Sequence, residues 1–215
     1  MRKQFAVIGL GRFGTSVAKT LFDLEYDVLV IDKNEQIIES IANDVTHAVQ
    51  ADAMDEDILK SLGIENFDVV IVAIGNDIES NILITVMLKD MGIKCVVAKA
   101  QNALHGKVLK KIGADKIVYP EKDMGVRVAH SLASNNVMDY IELQPNFGII
   151  EIKAPLAFAG KSLQEIKLRA AYGINVLAIK SNDSVLVSPG ADTKIEKGDI
   201  LIVISADDSL DKLPK

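Results

Sequence analysis

The sequence contains little of what several classes of protein require. Its 215 residues include one cysteine, Cys95, so no disulfide can form within the chain. A single thiol in an apolar run predicts a small buried side chain and fits a reducing cytoplasm. The 24 Lys and Arg residues are outnumbered by 30 Asp and Glu, which gives a formal net charge of −6. This balance argues against nucleic-acid binding, because contact with phosphates needs a surplus of cationic side chains.

Long hydrophobic runs are also missing. No stretch approaches the ~18 uncharged apolar residues that a membrane-spanning helix requires. The first ten residues lead directly into a predicted strand, without the pattern of a leader peptide. We therefore expect a cytoplasmic protein that would act at a membrane only through a partner.

The patterns of common catalytic sites are absent as well. An NAD-dependent dehydrogenase needs a general acid or base beside the hydride acceptor. The three histidines, His47, His105 and His130, fall in a predicted strand and two predicted helices, away from the predicted nucleotide site. The sequence has no Tyr-x-x-x-Lys, no metal-ligand cluster, no nucleophile elbow and no GxxxxGK[ST] phosphate loop. We expect a binding protein or sensor and not an enzyme.

What the sequence does contain is a regular alternation of apolar strands and helical segments. The strands recur every 20 to 25 residues, and their continuous apolar character indicates a parallel sheet buried on both faces. The predicted strands are Phe5–Ile8, Val28–Ile31, His47–Gln50, Val69–Ala73, Cys95–Ala98 and Lys116–Tyr119. This pattern predicts an α/β fold, a Rossmann-type doubly wound sheet, which a long helix over Lys122–Val137 follows.

The pattern changes after about residue 143. Short alternating strands are separated by turn signals, with one helix predicted at about Ser162–Arg169. We predict a nucleotide-binding domain over residues 1–140 and a small α+β ligand-binding domain over 141–215, with Gln144–Asn146 as the linker. A domain of about 70 residues buries a modest core, so dimerisation is expected.

The nucleotide fingerprint is the run Gly9-Leu10-Gly11-Arg12-Phe13-Gly14. It follows a predicted strand and opens a predicted helix, which is the context that a GxGxxG motif needs. Gly9 permits the turn, Gly11 lets a pyrophosphate approach the backbone, and Gly14 allows the helix to pack on the strand. The amide groups at the helix N-terminus would then bind the phosphates.

Asp32 ends the second strand and predicts a carboxylate that binds the ribose hydroxyl groups and repels a 2′-phosphate. Asp52 ends the third strand, where side chains commonly face adenine, and the small residues after the fourth strand leave room for a ligand. These features disfavour NADP and leave NAD, ATP and ADP open. Arg12 favours ATP or ADP, because a guanidinium in the phosphate loop can bind terminal phosphates in a bidentate manner.

Several motifs in order resemble RCK (KTN) domains, the cytosolic gating subunits of potassium channels and transporters. They are the opening run Phe5–Gly14, Val70–Gly75, Lys99–Asn102, Lys111–Asp115 and Tyr119–Gly125. Leu168–Gly173 and Ala178–Lys180 resemble the companion TrkA-C domain. Within this family the chain is similar to the KtrA/KtrC-like regulatory subunits of bacterial Ktr potassium uptake systems.

The resemblance implies an assembly and a ligand set. N-terminal domains pair through the long helix, dimers form an octameric ring, and the ring docks on a KtrB-like membrane subunit at the inner face of the membrane. Binding of ATP or ADP changes the ring and gates potassium flux. Arg12 contacts the terminal phosphates of a neighbour's nucleotide, and Glu121 helps to bind a divalent or sodium cation between paired subunits. The other implied nucleotide contacts are Asp32, Asn34, Asp52, Ala53, Ala73, Ile74, Gly75 and Lys99.

The same resemblance implies that cyclic di-AMP binds at the dimer interface of the C-terminal domain and inhibits uptake. The matching positions are Arg169, Ala170, Asn175, Val176 and Pro189. Arg169 can offer two donors to one phosphate, and the apolar side chains of Val176 and Pro189 can flank a purine. Two alternatives remain: a small NAD(H)-binding oxidoreductase or redox sensor, and a nucleotide-binding scaffold without a membrane partner.

Overall fold

The computed structural model describes residues 2–133, 136–182, 184–210 and 212–214. The chain divides into two compact units, Met1–Glu121 and Lys122–Lys215. The described part of the chain contains no helix that combines the length and apolar character needed to cross a bilayer.

The first unit is a parallel sheet with helices between its strands. The strands are β1 (Gln4–Ile8), β2 (Asp27–Asp32), β3 (His47–Gln50), β4 (Val69–Val72), β5 (Val96–Lys99) and β6 (Lys116–Val118). They lie in the order β3-β2-β1-β4-β5-β6. The helices are α1 (Arg12–Asp23), α2 (Glu35–Ile41), α3 (Glu56–Ser61), α4 (Ile78–Asp90) and α5 (Ala103–Lys111), followed by α6 (Pro120–Ala133). The predicted Rossmann-type fold is confirmed.

The apolar strands form this sheet because helices cover both of its faces. Val7 and Val30 are 0 % exposed and belong to one core cluster, whereas Ile8 and Ile31 belong to the cluster on the opposite face. The strand order reverses between β1 and β4. In a sheet of this kind the crevice at such a reversal is where ligands bind, outside the carboxyl ends of the strands.

The second unit is an antiparallel sheet with short helices. Its strands are β7 (Val137–Gln144), β8 (Phe147–Lys153), β9 (Asn175–Ser181), β10 (Ser184–Val187) and β11 (Ile200–Ala206), in the order β10-β9-β11-β8-β7. The helices are α7 (Leu163–Ile166), α8 (Leu168–Tyr172) and α9 (Asp207–Leu210). Ile150, Leu201 and Val203 are 0 % exposed at its core. The small α+β domain is confirmed.

Three predictions for the region between the units differ from the structure. The long helix covers Pro120–Ala133 and not Lys122–Val137; Val137 begins β7, and residues 134 and 135 lie outside the described residues. Gln144–Asn146 is no linker, because β7 and β8 pair there as a hairpin. The predicted division after residue 140 falls inside β7, whereas the compact units divide after Glu121.

The helix predicted over Ser162–Arg169 is two short helices. Lys167 separates α7 from α8 with a φ of 56°, in the left-handed region that interrupts a helix. Cys95 is partly exposed and not fully buried as predicted.

Candidate nucleotide-binding site

A cavity of about 550 Å³ opens at the carboxyl end of the parallel sheet, where the strand order reverses between β1 and β4. Eleven of the predicted residues line it: Gly9, Gly11, Arg12, Phe13, Asp32, Ala53, Ala73, Ile74, Gly75, Lys99 and Glu121. Gly14, Asn34 and Asp52 are not part of its lining. The chain therefore brings most of the predicted nucleotide site together in one crevice.

The glycines of the phosphate loop have three distinct physical roles. Gly9 has a φ of 91°, a conformation that side chains rarely adopt, and its N–H donates to the carbonyl oxygen of Ile31 at 2.9 Å. A Cβ on Gly14 would lie 2.0 Å from the carbonyl oxygen of Gly9, so only glycine allows α1 to approach β1 this closely. A Cβ on Gly11 would meet nothing within 4 Å, which leaves that stretch of backbone open to the cavity.

Helix α1 begins at this loop with a free anion site. Its N-terminal cap is Gly11, no side chain caps it, and its first turn has no acidic residue. The unpaired N–H groups and the helix dipole therefore favour a negatively charged ligand. Arg12 is the first residue of α1 and lines the same cavity, so a cationic side chain lies beside the helix terminus.

Asp32 connects the phosphate loop to the end of β2. Its Oδ2 accepts the N–H of Leu10 at 2.6 Å, and its Oδ1 accepts the N–H of Asn34 at 2.9 Å. Two backbone donors thus fix the carboxylate at the rim of the cavity, and each oxygen retains a lone pair for a ribose hydroxyl group.

Asn34 and Asp52 lie outside the cavity lining and have structural partners of their own. The Oδ1 of Asn34 caps α2 by accepting the N–H groups of Gln36 and Ile37. Asp52 accepts the N–H of Met54 at 2.9 Å and lies 3.2 Å from the Nζ of Lys33. The hydrogen bond from the Met54 N–H is the main reason why the pKa of Asp52 is lowered; burial opposes it, and Lys33 lowers the pKa further.

Lys99 and Glu121 form an ion pair on the opposite wall. The Nζ of Lys99 lies 2.6 Å from the Oε1 of Glu121, and the Lys99 side chain is 12 % exposed. The hydrogen bond from Lys99 is the main reason why the pKa of Glu121 is lowered, and the charge of Arg12 adds a smaller effect. A Cβ on Gly75 would lie 2.9 Å from the Lys99 Nζ, so this glycine leaves room for the ammonium group.

The donor set of one chain does not fit the cation predicted at Glu121. The carboxylate already neutralises Lys99, and a divalent cation needs several oxygen ligands. Within the described residues no group of three His, Cys, Asp or Glu side chains could hold a metal ion.

The structure adds lining residues that sequence reasoning missed. Among them are Lys33, Ala51, Asp77 and Ser80. Asp77 caps α4 by accepting the N–H of Ser80 at 3.0 Å, and the hydroxyl and N–H of Ser80 lower its pKa. The Asp-x-x-Ser spacing before a helical segment is a capping signal that could have revealed this rim.

The lining is therefore electrostatically divided. It contains three cations, Arg12, Lys33 and Lys99, and three carboxylates, Asp32, Asp77 and Glu121. The helix terminus with Arg12 suits phosphate groups, whereas Asp32 suits a vicinal diol. A nucleotide carries both groups on one molecule.

Comparisons with known proteins agree with this arrangement. The family model of the TrkA-N domain matches residues 5–120, and that of the TrkA-C domain matches residues 148–215. The chain is 48 % identical to Ktr system potassium uptake protein C of Bacillus subtilis over 215 residues, which cover 100 % of this chain and 97 % of the relative. It is 46 % identical to Ktr system potassium uptake protein A of the same organism over 94 % of this chain and 91 % of the relative. The chain belongs to the Ktr family of potassium uptake proteins.

Among solved structures, the Ktr chain resembles the RCK domain of GsuK, with a TM-score of 0.53 and 26 % identity over 97 % of this chain and 45 % of that chain. A structure of the GsuK channel bound to NAD has a TM-score of 0.53 and 25 % identity, over 97 % of this chain and 37 % of that chain. This Ktr chain thus spans less than half of either GsuK chain.

The residues predicted to bind cyclic di-AMP lie around one end of β9 in the TrkA-C unit. Arg169 and Ala170 are exposed on α8, Asn175 and Val176 begin β9, and Pro189 follows β10. The N–H of Ser188 donates to the carbonyl oxygen of Leu177 at 2.8 Å, which places Pro189 beside the start of β9. The binding role of these five residues stays a prediction.

Proposed function

We propose that this chain is a cytoplasmic, nucleotide-sensing gating subunit that regulates potassium uptake by a Ktr-type membrane transporter. The observation that carries the proposal is the cavity itself, where a bare helix N-terminus, Arg12 and Lys99 face a diol-binding carboxylate. The membership of the chain in the Ktr family supports the transport role.

A sensing role fits the chemistry of the cavity better than catalysis does. In the part of the chain that the structure describes, the cavity lining includes no histidine, cysteine or tyrosine. Other titratable groups of the lining already have structural partners: Asp32 accepts two backbone N–H groups, Asp77 caps α4, and Lys99 pairs with Glu121. What the lining offers is recognition of charge and shape.

ATP or ADP is the ligand that we favour, and NAD is the competing one. Arg12 and Lys99 provide two separate cationic groups for a chain of phosphates. The GsuK channel, which this chain resembles, has been solved with NAD. In this single chain Arg12 lines its own cavity; its contact with a neighbour's nucleotide belongs to the proposal.

The decisive experiment is calorimetric titration of the full chain with ATP, ADP and NADH. We expect micromolar binding of ATP and ADP, with weaker binding of NADH. Arg12→Ala should weaken ATP by about tenfold, which corresponds to ~1.4 kcal/mol, and should weaken ADP less. Arg2→Ala is the matched control, because Arg2 is exposed and pairs with Glu25. Equal losses for both nucleotides would refute the assigned role of Arg12.

The proposed assembly is a dimer that builds an octameric ring. Helix α6 has no buried residue and exposes Met124, Val128 and Leu132, an apolar stripe that a second copy could cover. A cation at Glu121 would need further ligands from that second copy, and it remains part of the proposal.

The proposed partner is an integral membrane potassium transporter subunit of the KtrB type. The full chain should co-purify with that subunit after extraction in mild detergent. The shape of the ring in the complex should change when ATP replaces ADP. Recovery of the chain alone under all nucleotide conditions would favour a scaffold without a membrane partner.

A further inference from the structure

Asn81 is a fully buried polar residue beneath the nucleotide cavity. It lies on α4, is 0 % exposed, and does not line the cavity. Its Nδ2 donates to the carbonyl oxygen of Ile74 at 2.7 Å and to that of Lys99 at 3.2 Å. Both partners are acceptors only, so the orientation of the carboxamide is fixed.

These two carbonyl groups belong to neighbouring strand ends. The ladder between β4 and β5 runs from the Val70–Val96 pair to the Val72–Ala98 pair, and Ile74 and Lys99 lie beyond it. The amide of Asn81 therefore joins the two chain segments at the point where the backbone ladder has ended.

Both joined segments form the cavity wall. A Cβ on Gly9 would lie 2.9 Å from the Cγ1 of Ile74 and 3.0 Å from its backbone N, so the phosphate loop packs against Ile74. Lys99 carries the ammonium group that pairs with Glu121. The buried amide of Asn81 thus holds both Ile74, against which the phosphate loop packs, and Lys99, whose ammonium group lines the cavity.

The oxygen end of the Asn81 carboxamide is in an energetically unfavourable environment. The Oδ1 of Asn81 has no hydrogen-bond partner among the described residues, although it is buried. An unpaired buried oxygen is costly, and such costs are retained where they serve a site.

We infer that Asn81 is a positioning residue of the nucleotide site, which holds the ends of β4 and β5 so that Ile74 supports the phosphate loop and Lys99 reaches a phosphate. The inference rests on the proposed binding of a nucleotide in this cavity.

The test compares Asn81→Leu with Thr85→Val in the full chain. Thr85 is also 0 % exposed on α4, and its hydroxyl donates to the Asn81 carbonyl oxygen at 2.7 Å, one turn further from the cavity. Thr85→Val therefore removes a buried hydrogen bond without touching the wall. We expect Asn81→Leu to weaken ATP binding by about tenfold or more, and Thr85→Val by less than about twofold.

A double-mutant cycle separates positioning from general loosening. If Asn81 acts by placing Lys99, the ATP loss caused by Asn81→Leu should shrink in a Lys99→Met background. Equal ATP affinities of Asn81→Leu and Thr85→Val, or full additivity with Lys99→Met, would overturn the inference. If Asn81→Leu does not fold, Asn81→Ser, which keeps one donor, takes its place under the same criteria. Failure of the unsubstituted chain to bind any nucleotide would instead refute the proposed function.

Discussion

The glycines of the phosphate loop have different roles, although the sequence motif shows the same residue at each position. Gly14 is needed by the fold, because its missing side chain lets α1 lie against the backbone of Gly9. Gly11 is surrounded by open space and has an extended backbone, with φ −65° and ψ 179°, that any residue can adopt. Its glycine is therefore needed only by a ligand that approaches the backbone.

This difference predicts opposite phenotypes for two alanine substitutions. Gly14→Ala should destabilise the first unit by about 2 kcal/mol, because overpacking against a backbone carbonyl outweighs the ~1 kcal/mol gained from alanine's helix propensity. Gly11→Ala should leave the urea midpoint unchanged and weaken nucleotide binding. Urea unfolding and calorimetry on both variants are the measurements. A stable Gly14→Ala chain would mean that α1 lies further from β1 than the structure places it.

Individual residues also show which parts of the site could be predicted from the sequence and which could not. The motif and the strand ends located Arg12 and Asp32 correctly in the cavity lining. Asn81 could not be found in the same way, since an asparagine inside an apolar helical segment carries no signal of what it binds. Its proposed role arises from contacts with the carbonyl groups of Ile74 and Lys99, which lie on either side of it in the sequence and meet it only in the fold.

At the scale of elements, the first unit was predictable because its central strands β1, β2 and β4 are largely buried and read as continuous apolar runs. The second unit was less predictable from the sequence. The predicted helix from Ser162 is interrupted at Lys167, which has a left-handed backbone although the sequence does not mark this position with glycine. β7 was missed since its strand state comes from pairing with β8, and tertiary pairing overrides local propensity.

Helix α6 shows how an element can be identified correctly while its end is misplaced. The helical spacing continues through Leu132, but Val137 already pairs with Ile152 of β8. Arg127 on α6 forms a two-pronged ion pair with Asp139 on β7, and the pKa of Asp139 is lowered chiefly by that contact. Side chains that lie 12 residues apart thus connect the helix to the strand.

At the scale of the whole molecule, the described part of the chain exposes apolar side chains on several elements, and two of these surfaces bear on assembly. One is the α6 stripe of Met124, Val128 and Leu132, and the other is β10, where Val185, Leu186 and Val187 are between 50 % and 69 % exposed. One self-complementary surface produces a dimer, whereas two different ones on the same chain can close a ring. The proposed octamer is consistent with this pair of surfaces.

The β10 surface also bears on the ligand predicted for the C-terminal domain, cyclic di-AMP. If a second copy covers β10, the neighbouring Arg169 and Pro189 of both copies would face one two-fold symmetric ligand. Cyclic di-AMP has two identical phosphates and two purines, so each copy would supply one Arg169 guanidinium to one phosphate.

We expect the full chain to bind cyclic di-AMP at a ratio of one ligand for two chains. Arg169→Ala should reduce the affinity by about tenfold, as loss of a charge-assisted pair implies. Calorimetry gives both the ratio and the affinity, and ATP binding to the same variant should remain unchanged. Absence of heat at high micromolar cyclic di-AMP would remove the ligand from the proposal, and a ratio of one to one would place the site within a single chain.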